Sequence, residues 1–165
     1  METQERSATH LARGEGRKIR APGGPTTRKV AAGQTGGAYS LFERSVPPGG
    51  GDSSHIQHRE DECFYVVEGE IEFLVGEEVV TTRAGSLVYV PRGTVHAFTN
   101  TGTTPARILD VITPGGTHER LLEEVGENAD AGDLRRVYTR YGIELVNNPA
   151  RREQEQIATI EREQA

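Results

Sequence analysis

Three of the five histidines lie in the middle of the 165-residue chain, close to an acidic residue. They are His55, His58 and His96, and the acidic residue is Glu62. Imidazole and carboxylate groups are ligands for divalent transition metals. Because strand side chains alternate between two faces, His55 and Gln57 share a face, and Glu62 faces the same way as the apolar residues at alternate positions after it. Such polar groups are costly inside an apolar core unless a partner compensates their burial, and a divalent metal is the usual partner.

Two patterns of fixed spacing contain these residues. The first consists of Gly49, His55, Gln57, Glu62 and Gly69, and includes the segment SSHIQHREDECFYVVEGE. The second lies in AGSLVYVPRGTVHAFTN and consists of Gly85, Pro91, Gly93, His96 and Asn100. Glycine suits tight turns between strands, and a proline followed closely by glycine suits a turn that leads into a strand. The two patterns therefore indicate strands that are joined by tight turns and carry polar residues at fixed places.

The two patterns resemble the two motifs of the cupin superfamily. The first family motif has an HxH pair, a glutamate and flanking glycines, and the second has a PxG, a histidine and an asparagine. The chain matches the first motif at every position but one, where Gln57 replaces the second histidine, and it matches the second throughout. The resemblance covers about residues 35–115, and the upstream segment TGGAYSLFERSVPPGGG looks like the leading strand of small single-domain cupins similar to quercetin dioxygenases. The resemblance to cupins implies an all-β jelly-roll barrel, also called a double-stranded β-helix.

The resemblance also implies a set of metal ligands. It places them on His55, Glu62 and His96, with Gln57 at the remaining position. Two histidines and one carboxylate suit non-heme Fe(II), with Mn, Ni and Zn as further options. Gln57 has three open roles: it could ligate weakly through its amide oxygen, hold a metal-bound water, or donate a hydrogen bond to a substrate oxygen. In one alternative His58 is the third imidazole, which requires a bulge or loop, and in another the metal is lost.

Other side chains near the motifs have both a functional and an ordinary interpretation. Phe64, Phe73 and Phe98 are candidates for substrate binding in an apolar pocket, with simple core packing as the alternative. Strand alternation turns Cys63 away from the site, so a small packed side chain is the better interpretation than a nucleophile. By resemblance to quercetin dioxygenases, Glu62 is the candidate proton acceptor for an acidic substrate hydroxyl.

The remaining charged residues of this region are predicted to lie on the surface. Arg59, Glu60 and Asp61 precede Glu62 and are predicted to be solvated. His10 and His118 lie outside both motifs and are likewise predicted to be surface residues.

The surrounding sequence predicts a β-domain followed by short helices. Between residues 30 and 115, short apolar segments alternate with Gly, Pro, Asn and Thr, which is typical of a sandwich or barrel. Residues 116–148 predict two helices that pack on the barrel or on a partner. The first is capped by Thr117 and ends at Gly126, and the second carries an apolar stripe of Leu134, Val137, Tyr138 and Tyr141. Residues 1–29 predict a flexible basic arm, and residues 149–165 predict a charged tail.

Composition bounds the partners and the compartment. The formal charge is -6, and residues 30–126 hold six basic and fourteen acidic residues, so binding to nucleic acid or an anionic membrane is not expected. A lone cysteine fits a reducing compartment, and neither an apolar run of membrane-spanning length nor the apolar core of a secretory signal occurs. We therefore expect a cytoplasmic protein with a small-molecule substrate. Edge strands and the helical stripe predict a homodimer.

Three hypotheses for the function follow from these residues. The preferred one is a metal-dependent dioxygenase that acts on a small aromatic or enolisable compound, such as a flavonol or a polyketide-like compound. The second is a non-oxidative isomerase, cyclase or lyase in which the metal polarises a carbonyl, and the glutamine in place of a histidine favours it. The third is a module that binds a small ligand without catalysis.

Overall fold

This computed structural model describes residues 7–127 and 131–147 of the chain. These residues contain eleven strands and three helices. In chain order they are β1 (Arg17–Ile19), β2 (Thr26–Val30), α1 (Ala32–Thr35), β3 (Ser40–Val46), β4 (Gly51–Gln57), β5 (Asp61–Glu68), β6 (Glu70–Val75), β7 (Glu78–Arg83), β8 (Leu87–Val90), β9 (Val95–Thr99), β10 (Ala106–Thr113), α2 (Thr117–Glu127), α3 (Ala131–Arg140) and β11 (Ile143–Leu145).

The strands form two antiparallel sheets that share one apolar core. One sheet has six strands in the order β1-β2-β3-β10-β5-β8, and the other has five in the order β11-β4-β9-β6-β7. Both sheets contribute buried side chains to the main core, which consists of Val46, Phe64, Val66, Ile71, Phe73, Val90, Phe98, Ala106 and Ile108. Alternate residues of each strand face inward, as the period of two in the sequence requires. The predicted all-β jelly-roll fold with short C-terminal helices is confirmed.

The motif residues Gly69 and Asn100 shape the connections between strands. Gly69 lies between β5 and β6 with φ +84°, and a Cβ there would come within 2.8 Å of the Ala106 Cα. Only glycine meets both conditions at this tight connection between the two sheets. The Asn100 side-chain amide donates hydrogen bonds of 2.8 Å to the carbonyls of Val46 and Thr104. These two motif positions therefore fix the conformations of the loops that connect the strands.

The first sheet begins earlier in the chain than the sequence predicted. β1 and β2 lie within residues 17–30, and β2 pairs with β3. The prediction of a flexible arm over residues 1–29 is therefore wrong for residues 17–29. The glycines and prolines at positions 22–25 turn the chain between two paired strands. The basic residues are also matched by acids on α2, because Arg28 lies 3.0 Å from Glu119 and Arg17 lies 3.2 Å from Glu123.

The two longer helices and β11 form a C-terminal unit that packs on its own chain. Leu134, Tyr138 and Tyr141 of the predicted stripe pack against buried residues of α2, α3 and β11. This cluster of buried residues is Leu121, Val125, Val137 and Ile143. α2 continues past Gly126, where the sequence predicted its end. No helix in residues 7–127 and 131–147 is long and apolar enough to cross a membrane.

β11, which the sequence analysis did not predict, pairs with β4 through Ile143 opposite Gln57 and Leu145 opposite His55. The homodimer stays a prediction. The stripe offered for it is packed within the chain, whereas β8, at the end of its sheet, exposes Leu87 and Tyr89. The predicted tail over residues 149–165 lies outside the described residues.

A buried arginine joins α2 to the barrel. Arg44, on β3, forms ion pairs of 2.8 Å with Asp52 and 2.9 Å with Asp110. It also donates a hydrogen bond of 3.3 Å to Nε2 of His118, in the first turn of α2. Because a guanidinium group can only donate, Nε2 of His118 accepts and the ring proton lies on Nδ1.

The prediction that His118 lies on the surface is wrong, because only 5% of the residue is exposed. Burial, followed by the positive charge of Arg44, lowers the pKa of His118 to about 3. The ring is therefore neutral at physiological pH and can accept from the arginine without repulsion.

We expect Phe73→Ala to lower the free energy of unfolding by about 3–5 kcal/mol, because it leaves a cavity in the shared core. The measurement is urea denaturation followed by circular dichroism. Val80→Ala is the matched control, since Val80 lies opposite Phe73 on β7 and is 43% exposed. The control is expected to change stability by about 1 kcal/mol or less. Equal losses in the two variants would contradict the placement of Phe73 in the core.

The lowered pKa of His118 predicts a loss of stability in acid. Below the ordinary pKa of 6.5 the unfolded chain binds a proton at His118, whereas the folded chain does not do so until about pH 3. The free energy of unfolding therefore falls as the pH falls through this window, by up to about 1.4 kcal/mol per pH unit from this group. His118→Gln keeps an acceptor for Arg44 and removes this slope. Urea denaturation between pH 8 and pH 4 should give a flatter curve for the variant, with a constant difference above pH 7. Parallel curves over the whole range would contradict the assignment.

Candidate metal centre

Three buried side chains from the two sheets converge near one end of the shared core. His55 on β4 and His96 on β9 lie directly opposite each other in the five-stranded sheet. Glu62 reaches them from β5 in the facing sheet. One potential ligand atom from each residue can be chosen so that all three lie within 4.8 Å of one another. The structure therefore brings together three of the four residues that the sequence predicted for the metal site, the fourth being Gln57.

Main-chain carbonyls orient both imidazole rings. The Nδ1 of His55 lies 2.7 Å from the Ser53 carbonyl oxygen, and the Nδ1 of His96 lies 3.0 Å from that of Thr94. A carbonyl oxygen can only accept, so both Nδ1 atoms carry hydrogen and donate it. The two Nε2 atoms are thereby left as the ligand atoms. This arrangement is common around metal-binding histidines, whose second ring nitrogen donates to a carbonyl or carboxylate.

A short hydrogen bond joins Glu62 to His96. The Nε2 of His96 lies 2.6 Å from the Oε2 of Glu62. Burial alone would raise the pKa of Glu62, but the hydrogen bond and the charge of His96 outweigh burial and lower it to about 2. The same contact raises the pKa of His96 against the effect of its own burial. Burial, followed by the charge of His96, lowers the pKa of His55.

The donor set fits a divalent transition metal. Glu62 is anionic, His55 is neutral, and release of one proton from His96 supplies the third lone pair. Metal binding at such sites is accompanied by proton release, since ligands bind in their deprotonated forms. Two imidazoles and one carboxylate also leave coordination positions open.

Gln57 is buried beside this set without a hydrogen-bond partner for its side chain among the described residues. It follows His55 by two positions on β4, and only 1% of it is exposed. Neither atom of its side-chain amide has a hydrogen-bond partner among the described residues. An unsatisfied buried amide costs about 1–3 kcal/mol, so a metal, a water or a substrate oxygen is the kind of partner it requires. The three open roles of Gln57 stay predictions.

Two neighbours of the set point elsewhere. The Nε2 of His58 lies 2.9 Å from Glu144 on β11, and about half of the His58 side chain is exposed. The alternative that made His58 the third imidazole is therefore wrong, because β11 engages that ring on the outside of the barrel. Cys63 is partly exposed, and burial, the largest cause, raises the pKa of its thiol. A raised pKa disfavours the thiolate that a nucleophile or metal ligand requires.

The acidic residues before Glu62 differ in their exposure. Glu60 is 1% exposed, so the prediction that it is solvated is wrong. Burial, followed by the negative charge of Glu62, raises the pKa of Glu60 to about 7. Asp61 forms an ion pair of 2.9 Å with Arg92 near the surface. The charged residues 59–62 thus alternate between more exposed and buried positions at the start of β5.

The three phenylalanines predicted to bind substrate belong to the core. Phe64, Phe73 and Phe98 pack on one another with ring centroids 5.2 to 5.8 Å apart. The Phe64 ring lies 6.3 Å from that of His96, so the aromatic cluster forms an apolar base under the candidate metal centre. None of the three lines the cavity between β3, β4 and the C-terminal unit. Core packing, the ordinary alternative, describes their placement.

A cavity of about 430 Å³ lies next to the centre, between β3, β4 and the C-terminal unit. His55 belongs to both the cavity and the ligand set. The volume lies in the range of small-molecule sites, about 300–1,000 Å³. Its lining includes Arg44, His118, Arg135 and Tyr138, to which the sequence analysis gave no functional role.

One of these residues left a signal in the sequence. Inward positions of β3 alternate through Ser40, Phe42, Arg44 and Val46, and Arg44 is the charged residue among them. A charged residue on the buried face of a strand is almost always paired, so it is a candidate for a functional or structural role. His118 left no such signal, because its burial depends on Arg44, which is remote in the sequence.

Comparisons with known proteins agree with this architecture. A family model described as "Cupin domain" matches residues 42–112. An uncharacterised protein from Streptomyces coelicolor is 36% identical over 86 residues, which cover 47% of this chain and 81% of that protein. The tetracenomycin polyketide synthase protein TcmJ of Streptomyces glaucescens is 30% identical over 93 residues. That match covers 55% of this chain and 62% of TcmJ, so the chain spans less than two thirds of that relative.

Among solved structures, the polyketide cyclase RemF from Streptomyces resistomycificus is similar with a TM-score of 0.56. The sequence identity is 22%, and the match covers 65% of this chain and 80% of RemF, which indicates a shared fold. The family match includes the three converging residues and both motifs. Together with the two facing antiparallel sheets and the relative from Streptomyces coelicolor, these findings show that the chain belongs to the cupin family.

Proposed function

We propose that this protein is a metal-dependent dioxygenase that acts on a small aromatic or enolisable compound of the flavonol or polyketide type. His55, Glu62 and His96 are the proposed ligands. The observation that carries the proposal is a buried set of two histidines and one carboxylate next to a cavity that contains His55. This ligand set, with open positions, is characteristic of non-heme Fe(II) oxygenases.

Each proposed ligand has a defined task. A divalent ion held by this set would polarise a substrate oxygen and, as Fe, Mn or Ni, would support O2 chemistry. The Ser53 and Thr94 carbonyls fix the ring orientations of His55 and His96. By resemblance to quercetin dioxygenases, Glu62 is the proposed proton acceptor for an acidic substrate hydroxyl; its carboxylate is ionised, and its lowered pKa makes it a weak base that can take a proton only from an acidic group.

A non-oxidative cyclase or isomerase is the second candidate, and Gln57 favours it. A neutral amide at the second-histidine position can hydrogen-bond to a substrate oxygen and leaves the family's usual four-residue ligand set incomplete. The names of TcmJ and RemF refer to polyketide synthesis and cyclisation by those proteins. In such a reaction the chain would need to hold the substrate and move a proton, with no net oxidation.

Metal binding tests the proposed ligands directly. We expect wild-type protein loaded with Mn(II) to retain about one equivalent after gel filtration. His96→Ala and Glu62→Gln should weaken binding by at least about 100-fold, because loss of an outer partner alone costs about 10–100-fold. Elemental analysis and calorimetric titration are the measurements. His58→Ala is the matched control, since that exposed imidazole lies outside the set, and Gln57→His should tighten binding.

Retention of metal by His96→Ala at the wild-type level would contradict the ligand assignment. A wild-type protein that takes up no metal, but still binds small ligands, would support a binding module without catalysis.

Oxygen dependence distinguishes the two catalytic candidates. Metal-loaded protein is tested against a panel of flavonols and enolisable polyketide-like compounds in an oxygen electrode, with product analysis in air and under argon. For a dioxygenase we expect one O2 consumed per substrate, no product under argon, and loss of both in His96→Ala. Equal product yields in air and argon would replace the dioxygenase by the cyclase or isomerase.

A further inference from the structure

The cavity beside the metal centre has two chemically different sides. The barrel side, from β3 and β4, carries the polar groups of Arg44, Asp52 and His55. The helical side comes from α2, α3 and β11 and is mainly apolar, with Leu121, Leu134, Tyr138 and Leu145 among its residues, although His118 of α2 lies against Arg44. The two sides meet where Leu145 pairs with His55. A ligand that fills the cavity must therefore place an oxygen-bearing edge on the barrel side and an apolar body on the helical side.

The two sides also come from different parts of the chain. Arg44, Asp52 and His55 lie within residues 42–112, the segment that matches the cupin family model. The apolar residues of the helical side follow that segment, from Leu121 to Leu145. The reactive side is thus the part shared with the family, and the helical side is where this chain can select its own substrate.

Charge distinguishes one further residue at this cavity. Arg44, Asp52 and Arg135 are the charged side chains in its lining. Arg44 is neutralised by ion pairs with Asp52 and Asp110. Arg135, on α3, is exposed, and it forms no ion pair with the side chains that the structure describes, those of residues 7–126 and 134–147. A negative group on a bound ligand would therefore meet a guanidinium that none of these side chains neutralises.

We propose that α2, α3 and β11 select a small, mainly apolar carboxylate as the substrate. Its apolar body lies on Leu134, Tyr138 and Leu145, its carboxylate pairs with Arg135, and its reacting oxygen lies toward His55. Arg135 is thereby a specificity-determining residue. The assignment of the reacting end rests on the proposed function, whereas the selection by the helical side does not.

Three naphthalene probes of equal body and different charge test this selection. 2-Naphthoate, 2-naphthol and 2-naphthylmethylammonium are titrated into the full-length, metal-free protein by isothermal calorimetry. We expect naphthoate to bind most tightly and the ammonium probe least. Arg135→Gln should weaken naphthoate about 5- to 10-fold, because it removes a charge-assisted hydrogen bond, and should leave naphthol within about twofold. Arg135→Lys should recover part of the loss.

Arg136→Gln is the matched control, because Arg136 is an exposed neighbour on the same helix that does not line the cavity. It should leave all three affinities within about twofold. Leu145→Gln, on the apolar side, should weaken the three probes alike. Equal effects of Arg135→Gln and Arg136→Gln on naphthoate, equal affinities of naphthoate and naphthol, or no binding of any probe would each overturn the proposal. Because no metal or turnover enters these titrations, their failure would leave the metal centre and its own test unaffected.

Discussion

The hydrogen bond of 2.6 Å between Glu62 and His96 is the contact on which the arrangement of this barrel depends. It joins a carboxylate of one sheet to an imidazole of the other, and both groups are buried. A buried charge is strongly unfavourable without a close opposite charge, so the separation of the two sheets between β5 and β9 is narrowly constrained. The aromatic base of Phe64, Phe73 and Phe98 maintains that separation and keeps water out.

The sequence was informative where the determining contacts are local. Strand alternation and motif spacing placed His55, Glu62 and His96 on inward faces, because these rules act over a few residues. β11 and His118 could not be placed in this way, since their positions depend on β4 and Arg44, which are distant in the chain. Glycines and prolines before β2 suggested a flexible arm, because the residues around them do not reveal that β1 pairs with β2 and that β2 pairs with β3.

The buried polar residues near the cavity fall into two groups that differ in their partners. Arg44 forms ion pairs with two aspartates and donates to a neutral His118, so its charge is matched, although Arg44 Nε, Asp110 Oδ1 and His118 Nδ1 have no hydrogen-bond partner among the described residues. At the candidate metal centre, the Gln57 amide lacks any hydrogen-bond partner among those residues, and the Glu62 and His96 pair would exchange one proton for a metal. The second group therefore retains the capacity to bind a metal or a polar ligand.

β11 has a consequence for how the protein is made. It covers β4, the strand that carries His55 and Gln57, and it follows the other ten strands in the chain. Until it emerges from the ribosome, β4 is a free sheet edge with unpaired amide and carbonyl groups, a template for pairing with a neighbouring nascent chain. The pairing of β11 with β4 removes this aggregation hazard and also completes the wall of the cavity. A chain whose cavity is complete is therefore already protected at the β4 edge.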